Sequence, residues 1–377
     1  MSLPSMRAIG VIPKKREVCL FDSHPHPVIR SDFEVKVKAL EIGICGTDRE
    51  ICTFVYGSPP VGQDYLVIGH ESLGEVVEVG VEVSGLKPGD LVVPSVRRPC
   101  TDPSCQSCQA DLQDFCFSND FRERGIKGIH GFMTEFYVDH SKYLNTVPSS
   151  LRDCAVLVEP LTVAEKALAQ VWKTQARLPW IKKNAPAHQP GKGLNAVVLG
   201  AGPIGILGAM ALVARGFRTF VYSRSRKPNM KAELVESFGA TYISSETETP
   251  EQLAAHVGNV DLIYEALGVS SVSFDVMRIL GMNGVYVFTG IPAPKPAIPV
   301  MGDELMRNFV LKNQAIIGSV NADRAAFENA IKDLAIFKQC WPQALSQVIT
   351  GRHTLEDYRK LLTNEEKSGI KNVIVLS

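Results

Sequence analysis

Short segments in which apolar and polar positions alternate fill the first 150 residues of the chain. Turn signals separate these segments, for example the KPGD sequence at 87–90. The clearest alternating segments are DFEVKVKAL (32–40), GEVVEVG (74–80) and DLVVPSV (90–96). Alternation with a period of two in short segments is typical of strands in an antiparallel sheet or barrel. We therefore predict a β-rich, barrel-like unit for this part of the chain.

The pattern changes after residue 150. Apolar residues at helical spacing predict a helix over 160–180, and a polar linker follows at 182–193. Beyond the linker, apolar runs of strand length alternate with helical stretches; the runs lie at 195–200, 219–224, 260–267, 284–290 and 314–320. Strand–helix alternation of this kind predicts a doubly wound parallel sheet of the Rossmann type. The remainder, from about residue 321, is expected to be mostly helical and to end in a strand at 372–377.

These patterns predict an α/β protein with two domains. A chain of 377 residues is longer than one compact domain usually holds. We assign 189–321 to the Rossmann domain, and 1–188 together with 322–377 to the β-rich domain.

Composition narrows the class of protein. Lys plus Arg and Asp plus Glu both number 40, so the charge balance gives no support for binding to nucleic acid or to an anionic membrane. The sequence has no apolar run of about 18 residues, which is the length needed to span a bilayer. The first residues lack the apolar stretch of a signal peptide, so we expect a cytoplasmic location. Thiols stay reduced there, and the nine cysteines are then free, metal-bound or catalytic.

A glycine-rich turn at 200–205 joins the first strand of the predicted Rossmann domain to a helix. The sequence GAGPIG matches the dinucleotide fingerprint G-x-G-x-x-G at the junction where that fingerprint is required. The free N–H groups and partial positive charge of a helix N-terminus suit the pyrophosphate. The residues expected to contact the cofactor are Gly200, Gly202, Pro203, Ile204 and Gly205. The alternative is a glycine turn with a purely structural role.

The end of the second Rossmann strand indicates which cofactor is preferred. An NAD site usually carries a carboxylate there, but the sequence YSRSRK at 222–227 has none. Ser223, Arg224 and Arg226 could instead bind a 2′-phosphate. We predict that NADP is preferred and that NAD is also accepted. The alternative is a solvated basic turn.

Four cysteines lie close together in the β-rich part, in the pattern C-x4-C-x2-C-x7-C; they are Cys100, Cys105, Cys108 and Cys116. Four thiolates can surround one tetrahedral zinc ion and leave no open coordination position, so such a metal is structural. The alternative is a set of free or disulfide-linked cysteines.

A second group of metal-binding residue types lies upstream of this loop. Cys45, Thr47 and Asp48 stand together, and His70 and Glu71 follow about twenty residues later. Thiolate, imidazole and carboxylate all bind zinc, and a catalytic zinc keeps one coordination position open for substrate.

These motifs occur in a recognisable order. GICGTDRE (43–50), GHESLGEVVEVG (69–80), the four-cysteine loop and VLGAGPIG (198–205) resemble the zinc-containing medium-chain dehydrogenases along essentially the whole chain. The RRPC sequence before the loop and the segments 122–139, 157–168 and 316–327 resemble the glucose dehydrogenase branch. Four residues separate the first two loop cysteines, where the family usually has two. The resemblance implies that the β-rich domain has the GroES-like fold.

The resemblance also implies residue roles. Cys45 and His70 match the positions of ligands of the catalytic zinc. Glu71 resembles a ligand that can bind or release the metal, and Glu159 a further ligand that also meets the substrate. Thr47 resembles the hydroxyl that contacts the substrate and relays its proton. The alternatives are that Glu71 orients the site without touching the metal, that Glu159 caps a helix and that Thr47 stabilises a turn.

Three further expectations concern the substrate side of the site. Asp48 should support the site rather than react. Glu123 falls where the glucose dehydrogenases have polar contacts to the substrate, and Asn321 where they have contacts to the substrate or nicotinamide. An ordinary surface Glu and an ordinary loop Asn explain these two residues equally well.

The implied activity is oxidation of the C1 hydroxyl of D-glucose or a related aldose to the lactone, with hydride transfer to NADP or NAD. One alternative is the same chemistry on a polyol, a secondary alcohol or L-threonine. Another, from a different class, is a redox sensor that binds NADPH without turnover. By analogy we expect a homodimer or a homotetramer.

Overall fold

The computed structural model describes residues 5–293, 295–363 and 369–376. Its strands are β1 (Ser5–Ile12), β2 (Glu17–Pro25), β3 (Glu34–Gly43), β4 (Leu66–Val67), β5 (Glu71–Val79), β6 (Leu91–Pro94), β7 (Arg97–Arg98), β8 (Arg122–Arg124), β9 (Gly128–Ile129), β10 (Phe136–His140), β11 (Leu144–Val147), β12 (Asn195–Leu199), β13 (Arg218–Ser223), β14 (Thr241–Ser244), β15 (Leu262–Glu265), β16 (Val285–Phe288), β17 (Ala315–Gly318), β18 (Ile349–His353) and β19 (Lys371–Val375).

The α-helices range from single turns to five-turn elements. They are α1 (Gly46–Ile51), α2 (Gln106–Gln109), α3 (Val158–Gln175), α4 (Pro203–Ala214), α5 (Met230–Ser237), α6 (Pro250–Val257), α7 (Ser270–Met277), α8 (Gly302–Leu311), α9 (Arg324–Cys340), α10 (Pro342–Val348) and α11 (Tyr358–Leu362). Within the part of the chain that the structure describes, no helix has both the length and the apolar character needed to cross a membrane.

The chain divides into two compact units. The first comprises Met1–Thr162, Asn321–Leu334 and Ile349–Ser377, and the second comprises Val163–Val320 and Ala335–Val348. The prediction places 163–188 and 335–348 in the β-rich domain, whereas they belong to the second unit, and it places Asn321 in the Rossmann domain, whereas it belongs to the first unit. The two larger differences begin within α3 and α9, whose helical pattern is continuous across the point where the two units divide.

The first unit is built on mainly antiparallel sheets. The largest has the strand order β11-β6-β5-β3-β19-β18, with β10 also paired to β3. Along β3 the side chains of Val35, Val37 and Ala39 are fully buried, while Lys36 and Lys38 between them are partly exposed. Alternate side chains of a strand point to opposite faces of the sheet, which is the pattern that predicted this strand. The predicted strands at 32–40, 74–80 and 90–96 are confirmed as β3, β5 and β6.

The second unit contains a six-stranded parallel sheet in the order β14-β13-β12-β15-β16-β17. This is the 3-2-1-4-5-6 order of the Rossmann fold, as predicted. The central strand β15 is buried along its whole length, as expected where helices cover both faces of a parallel sheet. The prediction identified five of these strands and missed β14.

Element boundaries differ from the prediction in two other places. The helix predicted over 160–180 begins at Val158 and ends at Gln175. The strand predicted over 372–377 is β19, which ends at Val375, and Ser377 lies outside the described residues.

Candidate active site and metal centres

A buried aspartate connects the two segments that carry the predicted ligands of the catalytic metal. Cys45 lies between β3 and α1, and its backbone N–H donates to Asp48 Oδ2 at 2.8 Å. Asp48 Oδ1 accepts a hydrogen bond from the backbone N–H of Gly69 at 3.2 Å and lies 3.3 Å from His70 Nδ1. The Asp48 side chain is completely buried. Its contacts fit the supporting role expected from the sequence, because one carboxylate fixes both the Cys45 turn and the His70 ring.

Cys45, His70 and Glu71 converge. The thiol sulfur, an imidazole nitrogen and a carboxylate oxygen all lie within 4.8 Å of one another. A thiolate, an imidazole and a carboxylate form a donor set that zinc accepts readily, so these residues fit the predicted metal. Gly69, which directly precedes His70, has a φ of +88°, and a Cβ there would lie 2.5 Å from Met133 Cγ. The backbone before His70 can therefore pass this close to Met133 only with glycine at this position.

Glu159 interacts electrostatically with the same cluster. It lies in the first turn of α3, and its oxygens are not among the three ligand atoms that lie within 4.8 Å of one another. Burial raises the pKa of Glu159 to about 7, while the charge of His70 lowers it and that of Glu71 raises it. The position in a first helical turn also agrees with the capping alternative, because carboxylates are favoured there.

Lys371 was not found by sequence reasoning. It begins β19, its side chain is fully buried, and its Nζ donates to both carboxylate oxygens of Glu71, at 2.7 Å and 2.6 Å. A third hydrogen bond, of 3.0 Å, goes to the backbone oxygen of Ile44. Burial lowers the pKa of Lys371, but the charges of Glu71 and Cys45 raise it more, so the lysine stays protonated. A single lysine at the start of an apolar strand carries no sequence signal of this role.

Three of the predicted substrate residues, Thr47, Glu123 and Asn321, lie in the first unit, as Glu159 does. Thr47 lies in α1, two positions after Cys45, and is partly buried. Glu123 lies on β8, where the side-chain amide of Asn321 donates to its Oε1 at 2.8 Å. The expected substrate or nicotinamide contacts Glu123 and Asn321 are therefore direct neighbours of each other.

Arg97 is a second residue that the sequence did not reveal. Its Nε and Nη2 donate to Glu123 Oε1 at 3.0 Å and 2.9 Å, and both side chains are buried. Its Nη1 donates to the backbone oxygen of Asp114 at 3.0 Å, and its guanidinium stacks 3.7 Å from the ring centre of Phe121. Arg97 therefore links Glu123 to the four-cysteine loop, which contains Asp114.

The four loop cysteines converge around one point. The sulfurs of Cys100 and Cys108 are 3.6 Å apart, those of Cys105 and Cys116 are 3.9 Å apart, and all four lie within 4.8 Å of one another. Sulfurs at the corners of a tetrahedron around zinc are separated by about 3.8 Å. Backbone hydrogen bonds at Cys108 and Phe117 lower the pKa of the Cys105 thiol to about 6, whereas burial raises the pKa of the Cys108 thiol to about 12, so the loop by itself favours the thiolate at Cys105 and not at Cys108. The loop geometry accommodates a closed four-thiolate site despite the longer first spacing.

The glycines of the nucleotide fingerprint have distinct local environments in the second unit. Gly200 follows β12 with a φ of +101°, which favours glycine. A Cβ at Gly205 would lie 2.1 Å from the carbonyl oxygen of Gly200, so only glycine permits this contact between helix and turn. At Gly202 a Cβ would meet no atom within 4 Å, which leaves space for a ligand beside the first turn of α4. Pro203 and Ile204 form that first turn and are partly exposed.

The basic turn follows β13. Ser223 ends the strand and is partly exposed, whereas the side chains of Arg224 and Arg226 are 88% and 68% exposed. Glu246, from the segment after β14, lies 3.7 Å from Arg224 Nε and 3.4 Å from Arg226 Nε. The turn itself has no carboxylate, as the sequence indicated, but the neighbouring segment supplies one. Sequence reasoning missed this carboxylate because it also missed β14.

Known proteins match the chain along its length. The family model described as the alcohol dehydrogenase GroES-like domain matches residues 31–149, and the model described as the glucose dehydrogenase C-terminus matches 152–376. The glucose 1-dehydrogenase of Methanocella arvoryzae is 36% identical over 364 residues, which cover 96% of this chain and 97% of the relative. The glucose 1-dehydrogenase of Thermoproteus tenax is 38% identical over 356 residues, which cover 94% and 95%.

A solved structure extends the similarity to three dimensions. The glucose dehydrogenase of Haloferax mediterranei, in complex with NADP, Zn and gluconolactone, matches with a TM-score of 0.87 and 31% sequence identity. The match covers 99% of each chain. The match therefore extends over both units.

Proposed function

The chain belongs to the glucose dehydrogenase branch of the zinc-containing, GroES-like alcohol dehydrogenases, and from this premise we propose that it oxidises the C1 hydroxyl of D-glucose to the lactone with NADP as hydride acceptor. One observation carries the proposal. Cys45, His70 and Glu71 bring a zinc-binding donor set together in a chain that matches, over its whole length, a glucose dehydrogenase solved with NADP, Zn and gluconolactone.

We propose that Cys45, His70 and Glu159 hold the catalytic zinc. Glu71 is the exchangeable ligand, and Lys371 holds its carboxylate when it is away from the metal. The contacts of Asp48 with the Cys45 turn and the His70 ring support this assignment, because they hold in place the two ligands that do not exchange. Cys100, Cys105, Cys108 and Cys116 hold a second, structural zinc ion.

Zinc bound at Cys45 and His70 supplies Lewis acidity, which lowers the pKa of a substrate hydroxyl beside it. Thr47 accepts the proton that leaves the C1 hydroxyl and passes it toward solvent. In the overall reaction the C1–H bond breaks with its electron pair, which a nicotinamide bound by the second unit would accept as hydride, and the C=O bond of the lactone forms. Glu123 and Asn321 orient the sugar, and Arg97 holds the Glu123 carboxylate in place.

The second unit binds the cofactor in this proposal. The pyrophosphate lies at Gly200–Gly205, where Gly202 leaves open space at the start of α4. Ser223, Arg224 and Arg226 bind the 2′-phosphate, and NAD is accepted as a second cofactor. Asn321 contacts the nicotinamide in addition to the sugar.

We also propose a homodimer or homotetramer in the cytoplasm. β17 is an edge strand of the parallel sheet, and Ile316 on it and Val310 and Leu311 on α8 are exposed apolar side chains. Exposed apolar side chains beside an open strand edge favour pairing with another chain. None of the nine cysteines, all of which lie in the part of the chain that the structure describes, forms a disulfide bond, which suits a reducing compartment.

The proposal is tested by following NADP⁺ reduction with D-glucose, D-galactose, D-xylose, sorbitol, ethanol and L-threonine, before and after treatment with a chelator. We expect NADPH formation with D-glucose, formation of the lactone, and loss of both after chelation, with recovery on addition of Zn²⁺. Turnover with only sorbitol or only L-threonine would retain the zinc chemistry and reject the sugar. Binding of NADPH without turnover of any substrate would instead support a sensor.

A further inference from the structure

The two arginines of the basic turn that follows β13 share one carboxylate from outside the turn. Glu246 lies within 3.7 Å of Arg224 Nε and 3.4 Å of Arg226 Nε, so one carboxylate bridges the two arginines. The remaining cation of the turn, Lys227, pairs with a different carboxylate, that of Glu236. Each charge of the turn is thus paired with an acidic side chain outside the 222–227 sequence.

The position of Glu246 is set by hydrogen bonds between the two neighbouring strand ends. The N–H of Ser245 donates to the carbonyl oxygen of Ser223 at 2.9 Å, which continues the pairing of β13 with β14. Ser244 Oγ donates to the carbonyl oxygen of Arg224 at 2.9 Å. The same hydroxyl lies 3.2 Å from the N–H of Glu246, which donates to it. One serine therefore links the backbone of the basic turn to the backbone of Glu246.

This arrangement has opposite consequences for the two cofactors. A 2′-phosphate that approaches Arg224 and Arg226 must displace Glu246 from them and is repelled by its negative charge. A free ribose 2′-hydroxyl carries no charge and can donate a hydrogen bond to a carboxylate, which is the role that an acidic residue has in NAD sites.

We propose that Glu246 is a specificity-determining residue that weakens NADP binding and allows NAD to be used. The inference rests on the proposed function, because it requires the cofactor adenosine to bind at the end of β13. It goes beyond that function by assigning the ratio of the two affinities to a residue outside the basic turn.

The test compares the dissociation constants of NADP⁺ and NAD⁺ for the full-length wild-type protein and for Glu246→Gln, measured by calorimetry at low and high salt. We expect Glu246→Gln to bind NADP⁺ about fivefold more tightly than the wild type, since exposed charge pairs contribute up to about 1 kcal/mol. NAD⁺ binding should be unchanged or weakened about twofold. The gain for NADP⁺ should shrink at high salt, because exposed charges are screened.

Two further variants make the result specific. Glu251→Gln removes the same charge from the same unit at a residue that pairs with Arg278, and it should leave both dissociation constants unchanged. Arg224→Gln combined with Arg226→Gln should weaken NADP⁺ binding about tenfold or more and leave NAD⁺ binding nearly unchanged.

The possible outcomes distinguish a failure of the role of Glu246 from a failure of the proposed function. If the arginine variant loses NADP⁺ affinity but Glu246→Gln keeps the wild-type affinity ratio, the role of Glu246 is rejected and the proposed function stands. An equal gain in Glu246→Gln and Glu251→Gln also rejects it, because the effect would then be one of overall charge. If the wild type binds neither cofactor, the proposed function fails and the inference fails with it.

Discussion

At the scale of single residues, the buried ion pair of Glu71 and Lys371 is the charged contact near the catalytic cluster that most affects stability. Both side chains are only 2% exposed, and the lysine bonds both carboxylate oxygens. Removal of one partner from a buried ion pair leaves an uncompensated charge, which costs more than removal of both. The pair thus sets both the stability of this region and the position of Glu71.

Lys371→Met is expected to lower the free energy of unfolding by about 3–5 kcal/mol, because it leaves the Glu71 carboxylate buried without its cation. The double variant Lys371→Met with Glu71→Gln should recover most of that loss, since no buried charge remains unpaired. Urea denaturation of the metal-loaded protein measures both. A single variant as stable as the wild type, or a double variant no better than the single one, would show that the pair does not have this role.

The residues that sequence reasoning found and missed differ in how far apart their partners lie along the chain. Cys45, His70 and the loop cysteines belong to compact motifs whose residue types identify the chemistry. Lys371 is 300 positions from Glu71, and Arg97 is 26 positions from Glu123. Such partners become neighbours only through sheet pairing, and a lone lysine or arginine has no local signature.

Among the elements, the four-cysteine loop has little packing of its own, and the proposed zinc ion would supply most of its order. Its helix α2 is a single turn, and Phe115 and Phe117 next to it are exposed, so the loop has little apolar contact of its own to hold it. The loop also supplies the backbone oxygen of Asp114 to Arg97, which in turn holds Glu123. Disorder in the loop would therefore loosen Arg97 and, through it, the proposed substrate contact Glu123.

Cys108→Ser is expected to reduce the zinc content by one ion per chain and to make residues 100–116 susceptible to proteolysis, because three thiolates hold the metal more weakly. The KM for D-glucose should rise, since Arg97 loses its fixed acceptor. Cys340→Ser is the matched control, because Cys340 is exposed and lies in neither metal-binding cluster. Metal analysis, limited proteolysis and steady-state kinetics give the three measurements. Full zinc content in Cys108→Ser would contradict the assignment of the structural site.

The strands that the sequence revealed and those it concealed differ in length and apolar content. In β12 every residue after Asn195 is buried and apolar, and such runs are recognisable as strands. In β14 only Tyr242 and Ile243 are apolar, between Thr241 and Ser244, so the strand has no detectable pattern of its own. It is held in place by pairing with β13. Glu246 lies in the segment that follows β14. Because the sequence did not reveal β14, it also did not reveal that this carboxylate lies beside the basic turn.

For the complete chain, the order of the motifs predicted the architecture better than it predicted the limits of the units. The β-rich and Rossmann parts are confirmed, but α3 and α9 each contribute residues to both units. Helical periodicity continues without a break through such an element, so no change of composition marks the division. The proposed chemistry requires both units, since the first contains the metal-binding cluster and the second contains the nucleotide fingerprint.

The most direct test of the proposed reaction uses D-glucose labelled with deuterium at C1 and NADP⁺, with the purified zinc-loaded protein. Hydride transfer from C1 predicts that the deuterium appears on the nicotinamide of the reduced cofactor and that the sugar product is the unlabelled lactone, both identified by mass spectrometry. Cys45→Ser should abolish the transfer. Reduced cofactor without deuterium, or a labelled sugar product, would contradict oxidation at C1 and with it the account of this protein as a zinc-dependent glucose dehydrogenase.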